Sequence, residues 1–302
     1  MPAFCHNASI MRCAIRRFGL AVTFGALCAA QDLKKDLERI AATAGGRVGV
    51  SAVLIESGEH IALQGDRPFF MASVVKFPVA LRVLELVDDG KLRLDQRVQV
   101  KASDRAPGVT TLDGRFKPGA MFTIRELLEF MILNSDNTAC DVLFRFTGGP
   151  PATESRLLAL GIQGIRVDRT EKEISAAYSA SRAQFLKDSR DTATPDAMAA
   201  LLAKFEHGET LKPATTALLS GMMEKATTFP NRLKGLLPPG TVVAHKTGTW
   251  REAATNDAGI ITLPDGSRHI AISVFTNQTK SGVDVEHTIA EIARAVYDHW
   301  AH

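Results

Sequence analysis

Apolar positions along the chain switch between two spacings, and the switches divide it into three stretches. Leu33, Leu37 and Ile40 stand one helical turn apart within residues 31–43, and Ala44-Gly45-Gly46 ends that pattern. Residues 48–55 then read as a strand, with Ser57-Gly58-Glu59 as the turn of a hairpin that returns over residues 60–64. From Ser73 to about Ser220 the helical period takes over, most clearly at residues 74–87, 124–133, 138–146, 152–160 and 196–205. Strands come back only near the end, at residues 242–246, 258–263 and 269–275, the last two joined by Pro264-Asp265-Gly266. A final helix is predicted over residues 283–300.

Strands at both ends with helices between them predict an α+β fold. One antiparallel sheet of about five strands is assembled from the two chain ends and flanked by helices, and an all-α domain is inserted in the middle. The expected division is a discontinuous α/β domain of residues 31–66 and 225–302 around a helical domain of residues 67–224. The seam between two such domains is a natural cleft. No internal repeat or low-complexity tract interrupts the pattern.

Ahead of this lie Arg12, Arg16 and Arg17 and an apolar run over residues 18–30 that is too short to span a bilayer. These features predict an export signal cleaved before Gln31, with Met1 or Met11 as the start, and therefore a periplasmic protein. Cys28 as a lipidated residue fits less well, because Leu27 is bulky where a small side chain is expected. Losing three basic and no acidic residues takes the formal net charge from +3 to zero. A neutral mature chain offers no electrostatic case for nucleic acid or membrane as a partner. Cys5, Cys13 and Cys28 leave with the signal, so Cys140 remains alone and no internal disulfide is expected. The histidines show no metal-ligand spacing, so neither a metal nor another cofactor is expected.

Three short motifs carry chemistry. Ser73-Val74-Val75-Lys76 puts a hydroxyl and an ammonium three residues apart at a predicted helix start, where they share a face. A serine needs a neighbouring base to become a nucleophile, and a helix N-terminus adds N–H donors. Ser135-Asp136-Asn137 falls between two predicted helices, and Lys246-Thr247-Gly248 ends a predicted strand. Read singly, each is also a helix cap or a strand-end turn. The three together in this order are expected by chance on the order of once in a thousand chains.

In these motifs, and in Thr123-Ile124-Arg125-Glu126-Leu127 and Arg190-Asp191-Thr192, the chain resembles the class A serine β-lactamases over nearly all its mature length. The resemblance implies a β-lactamase/D,D-peptidase-like fold. It also implies an enzyme that opens penicillins and cephalosporins through an acyl-serine, working as a monomer on a small-molecule substrate. Carried over, Ser73 is the nucleophile, Lys76 its proton acceptor or relay, and Ser135 the proton shuttle to the leaving nitrogen. Asn137 holds the acyl amide. Lys246, Thr247 and Thr249 bind the substrate carboxylate beside Gly248, and the N–H groups of Ser73 and Thr249 form the oxyanion hole.

The resemblance further makes Glu171, in Arg169-Thr170-Glu171, the base that activates the deacylating water. Whether Lys76 or Glu171 serves acylation stays open at this stage. Arg169 and Asp191 are expected to close the neck of a long, irregular Ω segment. Ser175 stands where the family holds that water with an asparagine, and Asp141 replaces another asparagine, which puts the anchoring of the segment in question. Arg232, fourteen residues before Lys246, is the candidate for the arginine that one branch of the family keeps beside the carboxylate pocket. Val109 and Thr110 suggest an open entrance. Pro78 is expected to cause a small local adjustment of the helix that follows Ser73, and Trp250 and Trp300 are expected to pack. The competing readings are a D,D-peptidase or penicillin-binding protein, which lacks the glutamate, and a β-lactam sensor that acylates once.

Overall fold

The computed structural model describes residues 19–108, 119–279 and 282–301. The chain enters through α1 (Gly19–Thr43), which begins inside the apolar run and not at residue 31. Strands β1 (Arg47–Leu54) and β2 (Glu59–Leu63) form the expected hairpin. A two-residue strand, β3 (Phe69–Phe70), leads into a 3-10 turn over Ala72–Val75 and then α2 (Lys76–Asp88). After β4 (Arg97–Gln99) and β5 (Met121–Thr123) come α3 (Ile124–Leu133), α4 (Asn137–Thr147) and α5 (Gly149–Ala159). Helices α6 (Glu171–Ala180) and α7 (Arg182–Phe185), strand β6 (Thr192–Ala193), and helices α8 (Pro195–Glu206) and α9 (Pro213–Glu224) follow. Strands β7 (Val243–Trp250), β8 (Ala254–Thr262) and β9 (His269–Asn277) and helix α10 (Val285–Trp300) complete the chain.

The sheet has five strands in the order β2-β1-β9-β8-β7, every neighbouring pair antiparallel, so the two chain ends meet at the β1–β9 ladder. Both faces are covered, which is why β1 reads as a near-continuous apolar run instead of alternating. On one face Leu33, Leu37 and Ile40 of α1 and Ile289, Ile292 and Val296 of α10 pack against Val48, Val50, Ile270 and Ile272. Leu37, Ile289, Ile292 and Val296 are fully buried, each worth about 2 kcal/mol relative to exposure. On the other face Phe69, Phe275, Ala258 and Ile260 join the helices' larger core around Phe77, Leu127, Met131 and Phe205.

The middle of the chain departs from the sequence expectation in two ways. It is not purely helical, because β3 pairs with β6 and β4 with β5. The stretch between Arg169 and Asp191 is not an irregular loop either, since it folds into α6 and α7. The start of α6 has a local cause. Thr170 Oγ1 accepts from the Glu173 N–H at 3.3 Å, and the Glu173 carboxylate accepts from the Thr170 N–H at 2.8 Å, a reciprocal cap. Helix α9, inside the stretch expected to be helical though not singled out there, starts on Pro213, whose missing N–H costs nothing in a first turn. Pro78 behaves as expected. The Val74 carbonyl, which a residue at position 78 would normally satisfy, accepts from the Lys76 N–H in the preceding 3-10 turn.

Candidate active site

Ser73 lies in the 3-10 turn that feeds α2, and the residue before it, Ala72, has φ of 47°. Such a left-handed alanine is strained and is held by its surroundings. Part of the holding comes from Asn256 in β8. Its Nδ2 donates to the carbonyls of Phe70 (2.9 Å) and Met71 (3.1 Å), and its Oδ1 accepts from the Thr276 N–H at 2.9 Å. Strand β7 also presses directly on the turn. A Cβ on Gly248 would sit 2.5 Å from the Met71 carbonyl oxygen, so only glycine permits this approach.

Lys76, on the first residue of α2, is fully buried and gathers the site around its ammonium. Nζ donates to Ser73 Oγ at 2.8 Å, Asn137 Oδ1 at 2.7 Å, the Ser135 carbonyl at 3.0 Å and Ser135 Oγ at 3.4 Å. Glu171 Oε1 lies 2.9 Å from the same nitrogen, an ion contact off the hydrogen-bonding direction. Ser135 sits at φ 61° between α3 and α4 and turns its hydroxyl to a second cation, Lys246 Nζ, at 3.0 Å. Lys246 comes from β7 and donates also to the Thr247 carbonyl at 2.8 Å. Burial, and then the charge of Lys76, hold the Lys246 ammonium well below the usual lysine range. Thr247 Oγ1 pairs with Thr228 Oγ1 at 2.6 Å, and Thr249 is exposed at the strand end.

Glu171 opens α6 and is 4% exposed, and it reaches the cleft because two contacts fix the helix start. The Asp141 carboxylate, on α4, accepts from the N–H groups of Glu171 (2.8 Å) and Lys172 (3.0 Å). The residue that put the anchoring of this segment in question is therefore an anchor itself. Burial and the charge of Glu171 push Asp141 up to about 7. At the other end Arg169 Nε meets Asp191 Oδ2 at 2.5 Å, both side chains buried, and Asp191 Oδ1 accepts from the N–H groups of Asp168 and Arg169. Ser175 falls four residues after Glu171 on the same helix, hence on the same face, and both line a cavity of about 510 Å³ together with Ser73 and Asn137.

Arg232 is in the expected region but faces another way. It is 1% exposed and lies behind the end of β7. Nη1 donates to the carbonyls of Gly248 (3.2 Å) and Asn256 (2.9 Å), Nη2 to Thr249 Oγ1 (2.7 Å) and Glu286 Oε1 (3.0 Å), and Nε to Glu286 Oε1 (3.3 Å). All five donors are used within the protein, which leaves none for a direct clamp on a ligand. Sequence reasoning missed Asn256, Glu286, Thr228 and the buried His245–Asp257 pair (Nδ1 to Oδ2, 2.8 Å). Adjacent Asn256 and Asp257 inside an apolar strand were the available signal, because buried polar groups demand partners. Val109 and Thr110 lie outside the described residues. Trp250 packs as expected, against Phe70, Tyr178 and Phe185.

A five-stranded sheet backed by two helices, with a serine, two lysines and a glutamate converging at its helical side, defines a serine hydrolase that works on small ligands in a cleft. The model of the β-lactamase enzyme family matches residues 32–300. The extended-spectrum β-lactamase PER-1 of Pseudomonas aeruginosa is 36% identical over 273 residues, covering 88% of this chain and 86% of that one. The β-lactamase VEB-1 of the same organism is 31% identical over 278 residues, covering 89% and 90%. A crystal structure of a β-lactamase from Chitinophaga pinensis is 36% identical with a TM-score of 0.82, covering 88% of this chain and 98% of that one. The chain belongs to this family, among its class A serine enzymes.

Proposed function

We propose that the chain hydrolyses the lactam ring of penicillins and cephalosporins by way of an ester on Ser73, released by a water that Glu171 activates. The observation that carries this reading is the single ammonium of Lys76 in contact with both Ser73 Oγ and Glu171 Oε1. In acylation Ser73 Oγ attacks the lactam carbonyl carbon. Its proton passes to Lys76 once that amine has handed one of its own to Glu171, so both groups lie on one proton path and neither need act alone. The N–H groups of Ser73 and Thr249 stabilise the oxyanion as it forms. Collapse breaks the C–N bond, and Ser135, held by Lys246, gives its proton to the leaving nitrogen, is reprotonated by Lys76, and Lys76 recovers its own proton from Glu171. In deacylation Glu171 takes a proton from a water that Ser175 helps to hold in the shared cavity, the hydroxyl adds to the ester carbon, and the bond to Ser73 Oγ breaks as that oxygen takes a proton back through Lys76.

At the opposite end Lys246, Thr247 and Thr249 take the substrate carboxylate, and Asn137 takes the acyl amide. Arg232 acts there through Thr249. Because its Nη2 donates to Thr249 Oγ1, the threonine proton points outward and is free to donate to the carboxylate. Residues 1–30 serve as an export signal to the periplasm, which mass determination of the secreted chain's N-terminus checks. A one-time β-lactam sensor drew its support from an irregular Ω segment and from Ser175, and against the first of these the segment folds into α6 and α7. Stopped-flow mixing with a chromogenic cephalosporin tests turnover. Continuous product formation over many equivalents is expected, and one equivalent followed by none would replace hydrolysis with sequestration.

A further inference from the structure

The cavity of about 510 Å³ runs past Glu171 along α6 to the end of β7, and its far wall is cationic. Lys172 and Arg251 line it there, both exposed, and Arg105 lines it beside them. Lys172 Nζ is steadied by the Ser103 carbonyl at 3.2 Å, and the Arg251 guanidinium lies 5.1 Å above the Tyr178 ring. The acidic side chains around these two are committed elsewhere. Glu171 contacts Lys76, and Asp141 accepts from two backbone N–H groups. Glu252 is held by Arg182 and by the Tyr178 hydroxyl, and Glu173 is folded back onto Thr170. Among the described residues no carboxylate forms an ion pair with Lys172 or Arg251. Helix α6 contributes the small residues Ser175, Ala176 and Ser179 to this wall beside the larger Tyr178 and Trp250.

We infer that this end of the cleft selects β-lactams whose acyl side chain carries an anion, met by Lys172 and Arg251. The inference rests on the orientation proposed above, with the ring carboxylate at Lys246 and Thr247 and the acyl amide at Asn137, and it adds that the acyl substituent runs on from Asn137 towards α6. Solvent-exposed cations act through screened attraction, so the preference is a modest factor that weakens as salt rises.

Three penicillins that share a phenylacetyl-type side chain test it, the α-carbon bearing hydrogen (benzylpenicillin), a carboxylate (carbenicillin) or an ammonium (ampicillin). At low salt and slightly acidic pH, kcat/KM should rank carboxylate above hydrogen above ammonium, each step about three- to tenfold. The spread should narrow with added salt. In Lys172→Ala/Arg251→Ala the carbenicillin-to-benzylpenicillin ratio should collapse, and in Lys172→Glu/Arg251→Glu the ranking should invert. A ratio unchanged in both double variants, or a wild-type ranking that favours the ammonium, would overturn the inference. Ratios cancel any general loss of activity in the variants. Failure of the wild type to hydrolyse all three compounds would instead strike the functional reading itself.

Discussion

Arg232→Ala removes five hydrogen-bond donors from a place that solvent does not reach. The carbonyls of Gly248 and Asn256 lose a charged donor each, and Thr249 Oγ1 loses the partner that orients it. Glu286, whose side chain is 31% exposed, recovers water and adds little to the cost. Hydrogen bonds to charged groups are worth about 1.5–3 kcal/mol each, so the loss with its cavity comes to about 3–5 kcal/mol. Thermal unfolding should reveal this as a fall in Tm of roughly 10 °C. Steady-state kinetics with benzylpenicillin should show KM raised about tenfold as the Thr249 hydroxyl loses its direction. Arg232→Lys should fare little better, since one ammonium cannot span four acceptors on three elements. A guanidinium that touched substrate directly would behave differently, raising KM with stability intact. An Arg232→Ala protein whose Tm stays within about 2 °C of wild type while KM rises would therefore refute the reasoning.

Other consequences follow from the geometry around Ser73. Gly248→Ala drives a Cβ to 2.5 Å from the Met71 carbonyl oxygen and 3.0 Å from the Val74 N–H nitrogen, so β7 must retreat from the turn that holds Ser73. The expected cost is about 1–3 kcal/mol of stability with a larger loss in acylation rate, and pre-steady-state acylation at wild-type speed would contradict it. Asp141, raised to about 7, holds a proton in the folded state that the unfolded chain has released, over a window from about pH 4 to pH 7. Its contribution to stability is thus greatest below that window and declines as pH rises through it, by on the order of 4 kcal/mol. The Tm of Asp141→Asn relative to wild type should then climb between pH 4 and pH 8, and a flat difference would show that Asp141 ionises normally. Arg169→Ala strands Asp191 without its cation, and partial proteolysis should cut between α6 and β6 faster than in wild type. Equal cleavage rates would mean that the two backbone N–H bonds to Asp191 suffice.

Elements with a strong apolar period were legible almost to the residue, α3 being expected and found over Ile124–Leu133. Strand β7 was expected to stop at Lys246 but continues to Trp250, because the polar Lys246-Thr247 sits inside the ladder opposite Asp257 and Ala258 and hides the alternation. Helix α6 was missed for the opposite reason. Its buried side chains are only Glu171 and Ile174, so it has almost no apolar stripe, and its true mark was the cap pair Thr170 and Glu173. The motifs that bring Ser73, Lys76, Ser135 and Lys246 together were readable because each is local. Their partners were not, since the five contacts by which Asp141, Asn256 and Glu286 hold the site all reach residues 30 or more positions away. Which way Arg232 points depends on packing behind β7, and no spacing in the sequence encodes that.

The most direct test of the division between acylation and deacylation is intact-mass spectrometry of Glu171→Gln after mixing with benzylpenicillin. An adduct of one intact penicillin mass on Ser73 should form more slowly than in wild type, because Lys76 can no longer pass a proton to residue 171, yet accumulate and persist, while wild type returns to its free mass and Ser73→Ala never gains the adduct. Glu171→Gln that clears its adduct as fast as wild type would contradict the role given to this glutamate.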